Sequence, residues 1–284
     1  MIFDIININW ERGVRVKESL RKLIKIWDLD EENYNKGIYI SKKDLEYLAN
    51  NVEKFEIKNS YYSYGKDKKV YFNLVPKPWW GNIENPEVII LLLNPGFTKD
   101  DDEDKKILSD HNFEENNAHL KEEMINNLKQ SNNNINWFDD KWKKAGSYHW
   151  WKPRLKEIAG ELKADDPYNY IYNNIGFFEF FGYHSKSFDL SFLKNDEFLP
   201  TQKAMFEYLN KLIKVNNPLV VIVWGQKKWQ QGLDGLAHYN EFKDIEQFVP
   251  LDYIDTISTS SSYLSKDNLR PYDFKRIVDT LNKI

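Results

Sequence analysis

The sequence predicts an α/β protein: a three-layer α/β/α domain with a mainly parallel central sheet, extended by an N-terminal accessory region. Apolar runs of strand length stand at residues 88–93, 171–181 and 219–224, and amphipathic segments with helical spacing separate them. Strand and helix segments that alternate in this way are typical of a parallel sheet covered by helices. The 284 residues suffice for one large domain with such an extension.

Residues 1–80 form the predicted accessory region. Residues 11–28 place apolar side chains at helical spacing among basic ones, and Ser41 precedes a second segment with helical period. Aromatic and β-branched runs at 61–64 and 70–75 flank a turn that contains Gly. Two such runs around a turn predict a β-hairpin.

Three buried strands define the predicted α/β domain, which spans residues 81–284. The first, in EVIILLLNPGF, is a continuous apolar run, typical of a parallel strand buried on both faces. Predicted helices at 151–162 and 201–215 separate the three strands. A weaker strand at 253–257 precedes a last helix that begins at Pro271, because Pro favours the first helical turn.

An acidic, Asn-rich insertion occupies about residues 100–145, with a helix predicted at 118–128. Charge is segregated around it: residues 98–123 contain ten Asp or Glu and four Lys, and residues 141–163 contain seven Lys or Arg and two Glu. A basic surface of this kind is a candidate footprint for phosphates. Solvated helix faces are the alternative explanation.

The composition narrows the possible chemistry. The chain contains no Cys, which excludes disulfides, thiolate nucleophiles, zinc ribbons and iron–sulfur clusters. The longest apolar run is far too short for a membrane span, and the N-terminus does not resemble a secretion signal. His111, His119 and His238 show no spacing typical of metal ligands. We therefore expect a cytoplasmic monomer with no cofactor, metal or membrane partner.

Four segments carry motifs in a fixed order: LLLNPGF (91–97), SYHWWKPRL (147–155), VVIVWGQKKW (220–229) and SSSYLSKDNLRPYDF (260–274). They resemble motifs of the uracil-DNA glycosylase superfamily. The first is similar to the Gly-Ile-Asn-Pro-Gly loop of its thymine-DNA and mismatch-specific branch, and the second to Asn-His-Phe-Trp-Lys. The third resembles the Leu-Trp-Gly strand, and the fourth the signature that is typically His-Pro-Ser-Pro-Leu-Ser. The resemblance covers about residues 84–284.

This resemblance implies a DNA glycosylase, which flips out a damaged, deaminated or modified base and hydrolyses its N-glycosidic bond. Asn94 would hold the attacking water, stiffened by Pro95 and Gly96, and Phe97 would line the base pocket. The segment Leu91–Phe97 contains no Lys that could form a Schiff base, so we expect a monofunctional enzyme.

Ser260 stands where the family signature has His, and it is assigned to the base pocket. The donor that would stabilise the departing base is therefore missing from that position. His184 follows a predicted strand, and we expect it to serve as the catalytic donor instead. Asn94 takes the place of the Asp found in the fastest branch, which suggests slow or selective chemistry.

Glu179 interrupts an apolar strand at a place where members of the superfamily carry a base-reading Asn. A carboxylate only accepts hydrogen bonds, so it suits the amine of cytosine, whereas uracil presents an acceptor. The pocket is therefore expected to favour an amino-bearing base such as a modified cytosine. A protonated Glu179, or a structural ion pair with His184 or Lys186, is the alternative.

A second group of residues is expected to contact DNA. Trp150 belongs to the predicted base pocket and is flanked by basic residues. Aromatic and basic residues alternate in this way in proteins that bind single-stranded nucleic acids. Tyr263 and Leu264 could wedge into the base stack, flanked by hydroxyls and cations that suit phosphates. The remaining members of the predicted DNA-binding set are Lys152, Arg154, Ser262, Ser265, Lys266 and Arg270.

Two other functions remain open from the sequence. One is ordinary excision of uracil or mismatched thymine in base repair. The other is a catalytically inactive protein that binds nucleic acid with the same fold. Asn94 favours an enzyme, because a binder has no chemical need for it, whereas Ser260 in place of His favours the binder.

Overall fold

The computed structural model describes residues 2–65, 68–97, 106–129, 135–193, 197–235, 253–257 and 261–283. Over these residues the chain is a mixed α/β protein with eleven α-helices and eight strands. The strands are β1 (Tyr61–Gly65), β2 (Lys68–Tyr71), β3 (Trp79–Gly81), β4 (Val88–Leu92), β5 (Ile175–Glu179), β6 (His184–Ser185), β7 (Leu219–Ile222) and β8 (Tyr253–Asp255).

The helices are spread along the described part of the chain. They are α1 (Ile2–Ile26), α2 (Glu31–Tyr34), α3 (Lys42–Asn51), α4 (Asp110–Asn116), α5 (Ala118–Leu128), α6 (Gly146–Arg154), α7 (Lys156–Glu161), α8 (Pro167–Asn174), α9 (Pro200–Asn216), α10 (Gln226–Gly235) and α11 (Pro271–Leu281). A short 3₁₀ helix at Asp140–Trp142 precedes α6. No helix in these described stretches is long and apolar enough to cross a membrane.

The main sheet has five strands in the order β3-β5-β4-β7-β8. Strands β5, β4, β7 and β8 are parallel, and β3 is antiparallel to β5 at one edge. Every residue of β4, β5 and β7 is buried. The continuous apolar runs that predicted these strands are explained by this burial, because a strand covered on both faces has no polar side.

The N-terminal segment is built into the same core as the rest of the chain. Strands β1 and β2 form the predicted hairpin, and β2 also pairs with β6 in a second, three-stranded sheet. Helix α1 packs on α9, where Leu23 and Trp27 are buried. Asp44 accepts hydrogen bonds from the Tyr183 hydroxyl (2.7 Å) and from the backbone N–H of Thr201 (3.0 Å). Tyr183 in turn accepts from the backbone N–H of Ser41 (3.1 Å).

Replacing Tyr183 by Phe is expected to lower the free energy of unfolding by about 1 to 3 kcal/mol, because it leaves a buried backbone N–H without an acceptor. Chemical denaturation with an unchanged m-value would measure the loss. Tyr61→Phe is the matched control, since the Tyr61 hydroxyl makes no hydrogen bond to the described residues. Equal stability of the two variants would show that this network does not hold the N-terminal segment in place.

The prediction of a strand over residues 171–181 is wrong for its first part. Residues Pro167–Asn174 form α8, and β5 begins only at Ile175. The Asp166 side chain accepts from the backbone N–H of Asn169 (3.1 Å) and Pro167 occupies the first turn. These helix-starting signals outweigh the β-propensity of the aromatic and β-branched residues that follow.

The single helix predicted over residues 151–162 is two helices. Helix α6 begins earlier, at Gly146, and ends at Arg154, one residue after Pro153; α7 then begins at Lys156. The two helices are separated at Leu155, whose φ of −104° and ψ of 2° depart from helical geometry, and Pro153 within α6 weakens that helix because it lacks an N–H. The other predicted helices are confirmed, and α5 has the predicted bounds of the insertion helix.

Candidate functional site

A cleft of about 460 Å³ opens where β4, β5 and β7 end. Its walls are mainly aromatic, from Trp80, Phe97, Trp137, Trp150, Trp151 and Trp224. Its polar lining includes Lys77, Asn94, Asp110, Glu179, His184 and Ser185. An apolar pocket with a few convergent polar groups is the usual form of a small-molecule or base-binding site.

The position of the cleft follows from the strand order. From β4 the chain crosses to β5 on one side, and from β7 it crosses to β8 on the other side. Connections that leave neighbouring strands in opposite directions open a crevice at the carboxyl ends of those strands. Asn94 follows β4 and Trp224 follows β7, so both lie at this crevice.

The Asn94 side chain is held by its amide nitrogen. Nδ2 donates to the Pro95 carbonyl oxygen at 2.9 Å and to Ser185 at 3.0 Å (Oγ) and 3.3 Å (carbonyl oxygen). Carbonyl oxygens only accept, which fixes the amide orientation. The Asn94 Oδ1 atom has no donor among the described residues. An oriented acceptor in a cleft is suited to hold a water molecule.

The loop after Asn94 is fixed on the hairpin. Pro95 is buried and Gly96 is exposed. The ring of Phe97 stacks on Tyr71 of β2, with 4.2 Å between ring centroids and 2° between ring planes. The accessory region therefore supplies a wall that supports the predicted pocket residue Phe97.

Glu179 lies at the end of β5 and is 8% exposed. Its Oε2 atom is buried without a hydrogen-bond partner in the described part of the chain, and it makes no ion pair there with His184 or Lys186. Burial raises the pKa of Glu179 to about 8, and the Lys77 ammonium partly opposes this increase. At neutral pH the side chain is therefore mainly the neutral acid, which donates one hydrogen bond and accepts others.

The neutral acid changes the expected base preference. The inference of an amino-bearing base assumed an ionised Glu179. A carboxylic acid can present its O–H to a carbonyl or its C=O to an amine, much as an amide does. Below a pH of about 8, Glu179 can therefore read either type of pyrimidine edge, and only above it does the carboxylate favour the amine.

Both ring nitrogens of His184 contact backbone carbonyl oxygens. Nδ1 lies 2.7 Å from the Gly96 oxygen, and Nε2 lies 3.2 Å from the Val75 oxygen. Burial, together with the Lys77 charge, lowers the pKa of His184 to about 4, so the ring is neutral at pH 7 and has one N–H. The shorter contact assigns this proton to Nδ1. In this conformation His184 holds the loop after β4 and presents no free donor to a departing base.

Lys77 is the cation beside these groups, and the sequence reasoning missed it. Its Nζ donates to Ser147 Oγ (3.3 Å), lies 3.7 Å from Asp110 Oδ1 and stands over the Trp137 ring (5.2 Å). One sequence feature could have identified Lys77 as a candidate: it directly precedes a Pro and two Trp.

The backbone around Lys77 is tied to the end of β5. The N–H of Glu179 donates to the Pro78 oxygen (2.9 Å), and the N–H of Lys77 donates to the Gly182 oxygen (2.9 Å). These two hydrogen bonds continue the pairing of β3 with β5 beyond the strands themselves. They hold Lys77 next to the end of β5, where the cleft lies.

A second buried carboxyl group lies near Lys77. Glu114 of α4 accepts from the backbone N–H of Val75 (3.2 Å), and burial raises its pKa to about 8. Asp110 and Glu114 both belong to the insertion, and Asp110 and Trp137 line the cleft. The insertion therefore forms part of the cleft wall.

An aromatic and cationic rim borders the cleft. The Arg154 guanidinium stacks on the Trp150 ring (3.3 Å) and lies 5.0 Å from the Tyr263 ring centroid. Arg154 also donates to Ser262 Oγ. Trp150 and Tyr263 are 37% and 42% exposed, so both rings are available to a ligand. Trp150 lies 5.8 Å from the ring of Trp224, which joins the rim to the cleft.

The loop after residue 260 is only partly available for contact with DNA. Leu264 is 1% exposed, so it belongs to the core and cannot wedge into a base stack in this conformation. The wedge role therefore remains with Tyr263 alone. Ser262 and Ser265 are buried as well. Ser260 lies outside the described residues.

The predicted phosphate-binding cations differ in their surroundings. Lys266 pairs with Glu161, and Arg270 pairs with Asp273. The Lys152 Nζ instead donates to the Tyr148 hydroxyl (2.7 Å) and makes no ion pair with a described residue. Lys152 and Arg154 are thus better placed to exchange their present contacts for phosphate oxygens.

The comparisons with known proteins identify no relative. No protein-family model matches the sequence, and neither a curated protein nor a solved structure matches the chain. Among the described residues, no group of three His, Asp or Glu side chains could hold a metal ion. The cleft itself therefore carries the evidence on function.

Proposed function

We propose that this chain is a monofunctional DNA glycosylase that accepts a flipped-out base in the cleft and hydrolyses its N-glycosidic bond. One observation carries the proposal: Asn94 Oδ1 and Glu179 Oε2 have no hydrogen-bond partner among the residues that the structure describes, and both residues line the same aromatic cleft. The four parallel strands support the finer proposal of a three-layer α/β/α fold of the uracil-DNA glycosylase type.

The proposed reaction needs a water, a base reader and aromatic walls. Asn94 Oδ1 holds the water near C1′ of the sugar, and the water oxygen bonds to C1′ as the bond from C1′ to the base nitrogen breaks. The base leaves with the electron pair of that bond, and the water loses its proton to solvent. Glu179 pairs with the edge of the base, and the Trp side chains exclude bulk water.

The aromatic and cationic rim favours binding of single-stranded or distorted DNA, in which unstacked bases are accessible. Trp150 and Tyr263 offer exposed rings for stacking, which contributes about 1 to 3 kcal/mol per base. Arg154 stands between them and can contact a phosphate while its plane stays stacked.

Substituting single cations should distinguish those that contact phosphates from those that already pair with carboxylates. Lys152→Ala and Arg154→Ala are each expected to reduce the slope of log Kd against log salt by about one unit. Lys266→Ala and Arg270→Ala are expected to change it less, because both side chains already pair with carboxylates. Fluorescence anisotropy between about 50 and 200 mM salt measures the slope. A salt-independent DNA affinity of the wild type would contradict the proposal that Lys152 and Arg154 contact phosphates.

A panel of labelled oligonucleotides tests the proposed activity. It contains uracil, mismatched thymine and cytosines modified at C5, in single- and double-stranded form, and alkali then cleaves any abasic site. Strand cleavage at one of these bases is the expected result. Cleavage without alkali would contradict a monofunctional enzyme.

A catalytically inactive protein that binds nucleic acid is the second candidate. It is favoured by His184, whose two ring nitrogens both contact backbone carbonyls and leave no donor for a departing base. Salt-dependent DNA binding without release of any base, and with the same affinity in Asn94→Ala, would support this candidate over the enzyme.

A further inference from the structure

Lys77 is a charged group deep in the cleft that the proposed reaction has not yet used. Its side chain is 14% exposed, and its Nζ makes one hydrogen bond, to Ser147 Oγ, within the described part of the chain. The Asp110 carboxylate lies 3.7 Å away, which is longer than a hydrogen bond. At least one of the three N–H groups of the ammonium therefore makes no hydrogen bond to a described residue and can point at a ligand.

The electrostatic neighbours of Lys77 belong to the candidate site. Lys77 lines the same cleft as Asn94, Glu179 and His184. Its positive charge opposes the increase in the pKa of Glu179 and lowers the pKa of His184. The lining also includes a second Lys, Lys186, but this residue is exposed at the entrance. A charge inside a cleft interacts more strongly than an exposed one, because less water screens it.

We propose that the Lys77 ammonium stabilises the negative charge that develops on the departing base. This inference rests on the proposed function. As the bond between C1′ and the base nitrogen breaks, its electron pair moves onto the base, and a hydrogen bond from Lys77 Nζ to a base oxygen or nitrogen offsets that charge. No bond to Lys77 forms, and the base takes its proton from solvent after release.

The other nitrogen-bearing side chains around the cleft are less suited to this role. His184 is neutral and its ring nitrogens contact carbonyls. Arg154 is stacked on Trp150 at the rim. Lys77 combines a cationic group with burial, and Ser147 and Asp110 limit its motion, so it is preorganised for charge that appears only in the transition state.

The experiment compares bases that differ in leaving-group ability. Single-turnover release of uracil and 5-fluorouracil from otherwise identical DNA is measured for wild type, Lys77→Met and Lys77→Arg, with cytosine and 5-fluorocytosine as a second pair. Lys17→Met is the matched control, because Lys17 is exposed on α1 and does not line the cleft. Circular dichroism and DNA affinity verify that the variants fold and bind.

Lys77→Met is expected to slow release of the unsubstituted base by about 10²- to 10³-fold, the usual scale for losing one preorganised donor. The loss should be about tenfold smaller for the fluorinated base, because fluorine stabilises the negative charge on the departing base and its release depends less on Lys77. Lys77→Arg should recover most of the rate, and Lys17→Met should match the wild type.

Two results would overturn the inference in distinguishable ways. Equal losses for the two bases of a pair would assign Lys77 a structural role and leave the proposed glycosylase intact. Release of no base by the wild type, from either pair or from the mismatched thymine and C5-modified cytosines of the panel above, would count against the proposed function and against Lys77 together.

Discussion

Asn94→Ala is expected to lower the single-turnover rate of base release by at least about two orders of magnitude. The substitution removes Oδ1, the acceptor that would orient the water, and also the Nδ2 contacts to Pro95 and Ser185. DNA affinity should change little, because the cations and aromatic rings of the rim remain. Rapid-quench kinetics under enzyme excess and fluorescence anisotropy measure the two quantities.

Two further variants sharpen this prediction. Asn94→Asp keeps an oxygen that can hold water but loses the amide donor to Ser185, so we expect a rate between those of the wild type and Asn94→Ala. Asn50→Ala is the matched control, because Asn50 is exposed on α3, away from the cleft. A wild-type rate for Asn94→Ala would remove this residue from the mechanism.

The second large effect is a pH-dependent choice of base at Glu179. Below a pH of about 8, the neutral acid can pair with a carbonyl or an amine. Above it, the carboxylate accepts from the cytosine amine but faces the O4 oxygen of uracil without a proton between them. Leaving that pair unmade costs about 1 to 3 kcal/mol, so the preference for the amino-bearing base should rise by roughly tenfold to a hundredfold between about pH 6.5 and 9.5.

The direction of the change follows from the shifted pKa. Deprotonation begins only as the pH approaches 8, because burial opposes the charged form and Lys77 only partly offsets this. Glu179→Gln does not titrate, so its preference should stay constant with pH. Glu179→Asn should move the preference towards uracil. Competition between amino- and carbonyl-bearing substrates in one reaction measures the ratio, and an equal pH dependence in Glu179→Gln would assign the titration to another group.

The core strands were predictable because their burial dictates their composition. The all-apolar runs of β4 and β7 indicated both strands, and the polar residues just after β4 located the cleft. Helix α8 was not predicted, because its aromatic and β-branched residues resemble a strand, and the cap at Asp166 was the deciding local signal.

The site was predicted in part, for a reason that lies in the topology. Asn94, Glu179 and His184 lie at or just after the ends of neighbouring strands, so the strand-end rule brings them together. Lys77 was missed because it precedes an antiparallel edge strand in the segment that was treated as accessory. Leu264 was misassigned, because sequence cannot show which residue of a polar loop turns into the core.

The most direct test of the proposed function is to identify the product. Wild type and Asn94→Ala are incubated with DNA that contains uracil, thymine mismatches and cytosines modified at C5, and the small-molecule fraction is analysed by mass spectrometry. We expect the wild type to release one free base, leaving an equimolar number of abasic sites, and Asn94→Ala to release at least about a hundredfold less. Equal release by both proteins, or no free base from the wild type, would contradict the assignment of the cleft as a glycosylase active site.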